Sequence, residues 1–154
     1  MYENKNFNNI CNYLVKYFNK SLKNIVYEKE NSDYNSVQFN LDDLFLKYRE
    51  AKITPTKLGM FVTFYKRDKS NITIPYDASD TLDFLVIGIK NSAHFGCFIF
   101  TKKILLEKDI MSENNLSGKR GFRVYPPFEK VTSVQALKTQ SWQVKYYKDL
   151  NNEK

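Results

Sequence analysis

Histidine is almost absent from this chain: His94 is the only one in 154 residues. An imidazole-based zinc site or a Ser–His–Asp triad therefore has little material to draw on. Cysteine is nearly as scarce. Cys11 and Cys97 are the two cysteines, neither belongs to a CxxC or Cys/His cluster, and both sit in apolar surroundings. They read as buried free thiols in a reducing compartment, with a Cys11–Cys97 disulfide left open as the alternative. No stretch approaches the roughly 18 apolar residues of a membrane span. The opening MYENKNFNNI lacks the apolar core of a secretion signal. The expectation is a soluble, cytoplasmic protein with no membrane partner. With five Gly and four Pro, and no repeat or low-complexity linker, the chain reads as one domain over residues 1–154. An N-terminal helix takes residues 1–24, the main body 25–148 and a polar tail ending at Lys154 takes 149–154.

What the chain has in quantity is aromatic surface and positive charge. Aromatic residues make up 16% of it, most of them expected in the core. Lys and Arg number 24 against 17 Asp and Glu, a formal net charge of +7. That balance favours polyanionic partners, although a basic surface is also what a lysine-rich solvated protein presents.

Hydrophobic periodicity places the elements. Phe7, Ile10, Cys11, Leu14, Tyr17 and Phe18 follow helical spacing, with Asn6 as N-cap and an end near Leu22. Short strands are expected at 26–30 and 36–40. Leu44 to Ile53 alternates as a strand up to Thr54-Pro55. Gly59 to Lys66 is the next strand, and Ile72 to Tyr76 a short extended piece. LDFLVIGI (82–89) and the run 95–100 are nearly all apolar and read as central strands covered on both faces. His94, in the loop between them, reads as an exposed polar residue. A short helix at 102–110, a basic glycine-flanked turn at 118–121 and a strand at 122–125 follow. The last helix is expected over Thr132 to Asp149, capped by Thr132 or Ser133 and anchored by Val134, Leu137, Trp142 and Tyr146. Gln140 and Gln143 fall on its solvent side, although the Lys138-Thr139-Gln140 run is placed to reach a basic cleft. The fold class is α+β: a central mixed, largely antiparallel sheet flanked by helices.

Four segments, YREAKITPTKLGMFVTFYKR (48–67), LDFLVIG (82–88), FGCFIFTKKIL (95–105) and GKRGFRVYPPF (118–128), followed by ALKTQSWQVKYY (136–147), resemble the MepB-like family of small bacterial proteins. The resemblance covers roughly residues 25–148. It implies an α/β core like that of a nuclease, in degenerate form, and nucleic-acid binding; family members are often encoded near drug-efflux systems. The chain departs from the family pattern at four places. Gly59-Met60-Phe61 and Gly96-Cys97-Phe98 stand where members tend to have Gly-Gln-Phe. Thr101 replaces the proline of Phe-Pro-Lys, and Tyr65 replaces a tryptophan before Lys66-Arg67. Met60 and Cys97 cannot make an amide's hydrogen bonds.

Three functional readings follow from the residues. The first is nucleic-acid (DNA) binding without catalysis. Its carriers are Arg49, Lys52, Lys57, Tyr65, Lys66, Arg67, Lys102, Lys103, Lys119, Arg120 and Arg123, with Tyr48, Tyr65 and Tyr125 stacking on unpaired bases. The second is a Mg²⁺-dependent PD-(D/E)XK-type nuclease with Asp83, Glu50 and Lys102 as candidates. Its spacing fails where Cys97 and Ile99 occupy the E-x-K positions. The third is an anion- or protein-binding module around Arg120, Arg123 and Tyr125, favoured if the basic residues gather in one pocket instead of a stripe. No metal site and no cofactor is expected, Mg²⁺ entering only with the nuclease reading.

Overall fold

The two longest apolar runs become neighbouring strands at the centre of a six-stranded sheet. The computed structural model describes residues 4–153 and has the elements α1 (Lys5–Phe18), β1 (Leu22–Tyr27), β2 (Val37–Leu41), β3 (Leu44–Glu50), β4 (Lys52–Ile53), β5 (Met60–Thr63), β6 (Lys66–Arg67), β7 (Thr73–Ile74), β8 (Phe84–Lys90), β9 (Phe95–Thr101), α2 (Lys102–Glu107), β10 (Gly121–Val124), α3 (Val134–Gln143) and β11 (Tyr147–Asp149). The main sheet runs β1-β2-β3-β8-β9-β11. Only the β3–β8 pair is parallel, Leu46 facing Phe84 and Glu50 facing Gly88; its other pairings are antiparallel. This is the mixed, largely antiparallel α+β architecture expected. No helix among the described residues is long and apolar enough to cross a membrane.

A parallel pair requires a crossover of a dozen or more residues. Residues 51–83 supply it, and they carry part of the layer that covers the main sheet. Within them β4 and β5 join β10 in a three-stranded sheet, and β6 pairs with β7 in a hairpin.

Strand alternation then divides the core by face. Val86, Cys97 and Ile99 meet Phe7, Ile10, Cys11 and Leu14 of α1 on one side. Leu85, Ile87, Ile89, Phe98 and Phe100 meet the small sheet, α2 and the segment around Ile110 on the other. The two cysteines are free and buried on the α1 face. Burial pushes both thiols up to about 12, so neither is a nucleophile near neutral pH. Met60 is equally buried, so the amides missing at 60 and 97 are replaced by core.

Several boundaries differ from expectation. The N-cap of α1 is Asn4, whose Oδ1 accepts from the Phe7 amide at 3.0 Å. The helix stops at Phe18 because Asn19 takes a left-handed conformation, and Leu22 already begins β1. The last helix ends at Gln143. A 3-10 turn (Val144–Tyr146) follows, and Tyr147–Asp149 becomes an edge strand beside β9. Trp142 and Tyr146 fit both readings, since each packs against Phe100. What separates them is Tyr147 against Phe98 and the buried Leu150, whose amide donates to the Phe95 carbonyl. The expected tail is thus fixed as far as Asn151, whose Oδ1 accepts from the Phe95 amide; Lys154 lies outside the described residues. Val134 and Leu137, expected as anchors, are 77% and 47% exposed.

The least expected feature is charge inside the sheet layer. Lys47 and Arg49 of β3 point to the face opposite α1, and Arg49 is fully buried. Both bind one carboxylate, Glu28, at 2.8 Å from Lys47 Nζ and 3.1 Å from Arg49 Nη1. Arg49 also donates to the Tyr48 carbonyl and lies over the Phe64 ring. Removing one partner of a buried pair leaves the other charge uncompensated and costs about 3–5 kcal/mol. Glu28→Gln is therefore expected to lower the unfolding free energy by about 3 kcal/mol or more in urea titration. Glu30→Gln, which breaks a pair with Arg67 that is more than one-third exposed, should cost under ~1 kcal/mol.

A second carboxylate, Asp77, holds the 112–115 loop. It accepts from the Ser79 hydroxyl and amide, the Asn115 amide and the Ser112 hydroxyl. These bonds, that of the Ser79 hydroxyl foremost, hold its carboxyl well below the usual carboxylate range. A depressed folded value means a stabilisation present above the unfolded value of about 3.9 and lost as the pH falls through the folded one. Asp77→Asn should thus destabilise the protein at pH 7 and at pH 5. The gap to the wild type should shrink when thermal unfolding is followed at pH 3 and below.

Candidate nucleic-acid interface

Between the small sheet and α3 lies an open cleft of about 630 Å³. Its walls carry Lys57, Lys108, Lys119 and Arg123, together with Phe122, Tyr125 and Trp142. Of the described residues that line it, none is Asp or Glu. Four cations share one concave space with three aromatic rings. A low-dielectric wall focuses such a field towards an anion.

Each wall is fixed by local chemistry. Ser133 caps α3 with its hydroxyl on the Ala136 amide, and Thr132, Ser133 and Gln135 bring the first turn of the helix to the rim. Gln143, fully buried, accepts from the Tyr125 amide at 2.7 Å and donates to the Arg123 carbonyl at 3.0 Å. Gln140 donates to the carbonyls of Pro126 and Glu129. These two glutamines, expected on the solvent side, instead join α3 to the exit of β10. Gly59 adopts φ +81° beneath the Tyr125 ring, where a Cβ would come within 2.6 Å of the ring carbons. Arg123 donates to Thr54 Oγ1 at 2.7 Å and to the Leu58 carbonyl, so it anchors the 54–59 turn while lining the cleft. Lys108 Nζ sits 5.6 Å from the Trp142 ring centroid.

Of the residues expected to bind nucleic acid, the structure gathers Lys57, Lys119 and Arg123, with Tyr125, in this cleft. Arg49 is removed from the proposal by burial against Glu28, and Tyr48 by burial with its hydroxyl on Glu50 at 2.8 Å. A side chain sealed in the core cannot meet a ligand. Lys66 is paired with Asp80 at 2.7 Å, and Arg67 with Glu30 at 3.0 Å beside the Tyr65 ring. Lys102 Nζ donates to the Asp80 carbonyl at 2.7 Å. Lys52 lies over the Tyr34 ring, while Lys103 and Arg120 are exposed outside the cleft walls. His94, expected in the open, stacks flat on Phe128 at 3.8 Å.

The three nuclease candidates do not converge. Glu50 accepts from Asn4, Asn35 and Tyr48. Asp83 accepts from the Phe45 amide at the opposite end of the β3–β8 pair. Glu50 faces Gly88, five residues along β8 from position 83, a distance of roughly 16 Å at about 3.3 Å per residue. Lys102 neighbours Asp83 through its backbone, and its ammonium is held by Asp80. No cluster of three or more His, Cys, Asp or Glu able to hold a metal ion occurs among the described residues.

Sequence reasoning passed over Lys108 and assigned Trp142 to the core alone. The available signal was the i, i+3 spacing of Thr139 and Trp142, which puts Trp142 on the same helix face as a residue already suspected of reaching a basic cleft.

Comparison with known proteins bears on the whole chain. No curated protein matches it. A solved structure, the crystal structure of MepB, superposes with a TM-score of 0.82 at 33% sequence identity, covering 98% of this chain and 99% of that one. The MepB-like family model matches residues 28–149, nearly the region delimited by the sequence motifs. The chain belongs to the MepB-like family.

Proposed function

We propose that this protein binds unpaired nucleic acid in the cleft between the small sheet and α3, without catalysis. The observation that carries this reading is the composition of the cleft wall: Lys57, Lys108, Lys119 and Arg123 around Tyr125 and Trp142, with no carboxylate among the described lining residues. Phosphates meet the cations, and exposed base faces meet the rings. Base–aromatic stacking contributes about 1–3 kcal/mol per base. A paired duplex hides those faces, so a single strand suits this cleft better. Binding without cleavage is favoured because Glu50, Asp83 and Lys102 each serve a structural contact and do not meet.

A second reading is supported by the confinement of these cations to one hollow instead of a stripe. In it the ligand is a free anionic nucleotide.

Anisotropy of labelled single- and double-stranded oligonucleotides across a salt series tests both. For single strands the slope of log affinity against log salt is about −0.7 per phosphate neutralised. Replacing Lys57, Lys108 and Lys119 together by Ala should flatten the slope by about 2 and weaken binding strongly. Lys103→Ala, outside the cleft, should leave both unchanged. The strand should stay intact when Mg²⁺ is added; cleavage would overturn binding without catalysis. A nucleoside monophosphate that displaces the oligonucleotide at equal concentration would establish the second reading instead. Absence of oligonucleotide binding at low salt would end the strand reading, and direct titration with a nucleoside monophosphate would then decide the second.

A further inference from the structure

A second hollow, of about 520 Å³, lies beside the β6–β7 hairpin, with Lys66, Arg67, Lys69, Asn115 and Ser117 in its wall. The cleft and this hollow share one partition. Ile110 and Lys119 line the cleft, while Ser112, Asn115 and Ser117 line the hollow. Ser117 and Lys119 are two residues apart, so the crest between the two spaces spans at most ~7 Å of chain. Between them in sequence stands Gly118, at φ +94°, with the position a Cβ would take lying 2.7 Å from Pro75 Cβ. The crossing point is therefore bare backbone.

That crest is also held still. The Gly118 amide donates to Asp109 Oδ1 at 3.1 Å, and the Lys119 amide to the Ile110 carbonyl at 3.0 Å. Asp77 fixes the loop below through Ser112 and Asn115. A partition anchored at both ends loses little further freedom when a ligand lies across it.

What the wall of the hollow offers a sugar–phosphate chain is one exposed cation, Lys69, and a set of neutral donors. Lys66, Arg67 and Lys69 stand against Asp68, whose Oδ1 is occupied by the amides of Ser70 and Ile72, and the first two are already paired with Asp80 and Glu30. Asp80 and Glu30 hold Lys66 and Arg67 in position, and Lys69 is exposed. Asn115 and Ser117 add neutral donors of the kind that position a phosphate backbone without reading its sequence.

We propose that the strand bound in the cleft continues over Gly118 into this second hollow, so that the protein reads a single strand spanning both spaces. The inference rests on the cleft binding an unpaired strand. It sets a minimum footprint of roughly four to six nucleotides, the low end of the range for single-strand binders.

The test is a titration of the full chain with oligothymidylates of two to eight nucleotides, followed by fluorescence of Trp142, the single tryptophan and part of the cleft wall. Affinity should rise steeply with length and level off near five nucleotides. The double variant Lys69→Ala/Ser117→Ala, both positions exposed, should lose about five- to tenfold on the eight-nucleotide strand and nothing on the two-nucleotide one. Equal affinity of the variant and the wild type for the long strand would remove the second hollow and leave the cleft reading standing. Failure of every oligothymidylate to bind would remove both.

Discussion

Glu28 holds two cations that are largely withdrawn from water. Lys47 and Arg49 stand on β3, next to the parallel junction with β8, and their charged heads lie on the face covered by Phe64 and Tyr76. Burying even one unpaired ammonium or guanidinium would be prohibitive, and the desolvation shows in the lowered Lys47 pKa. The single carboxylate comes from the chain just after β1, so the excursion between β1 and β2 cannot move away without exposing the cost. Gln38 and the Tyr76 ring complete the surroundings of Lys47. Arg49 Nε and Nη2 find no hydrogen-bond partner among the described residues. The Phe64 ring beneath the guanidinium, 5.6 Å away, offers a cation–π contact in place of those bonds.

This arrangement changes what the positive charge of the chain means. A net charge of +7 invites every lysine and arginine in the basic motifs to be read as surface. The structure sorts them by the carboxylates within reach. Glu28, Glu30 and Asp80 take Lys47, Arg49, Arg67 and Lys66. Of these pairs, Arg67–Glu30 ties the β6–β7 hairpin to the segment between β1 and β2. The cations left to the cleft are the ones whose walls contain no acid. Cations free of carboxylates thus meet aromatic rings in the cleft, where the small sheet and α3 supply rings and lysines together.

Much of the frame was legible because it rests on patterns a sequence displays directly. Two long apolar runs announced β8 and β9, and helical spacing announced α1. The rest depended on partners remote in sequence. Arg49 alternates with Tyr48 as an exposed strand residue would, and nothing local tells it that Glu28 waits across the sheet. Tyr147 to Leu150 continues a helical pattern until the edge of β9 offers hydrogen bonds that a helix would forgo. Gln143 looks like a solvent residue on a helix until the unpaired amide of Tyr125 comes into range. In each case a tertiary bond overrode a local preference that was itself read correctly.

The position of the cleft follows from how its two walls are joined. On the main sheet α1 covers one face, and the small sheet with α2 covers the other. An apolar seam between α3 and β10 would have closed the remaining gap, as it closes α1 onto the sheet. Here the seam is polar: Gln143 bridges the backbone of Arg123 and Tyr125, and Gln140 bridges that of Pro126 and Glu129. Amide side chains fix a spacing and leave the adjoining surfaces apart. Val134 and Leu137 on the outer side of α3 accordingly stay in water, and Trp142 is held against Phe100 on one side while its other side lines the cleft. The same ring carries Lys108 Nζ 5.6 Å from its centroid, so Phe100, Tyr146 and Lys108 together fix Trp142 in the cleft wall and little side-chain freedom is left to lose there.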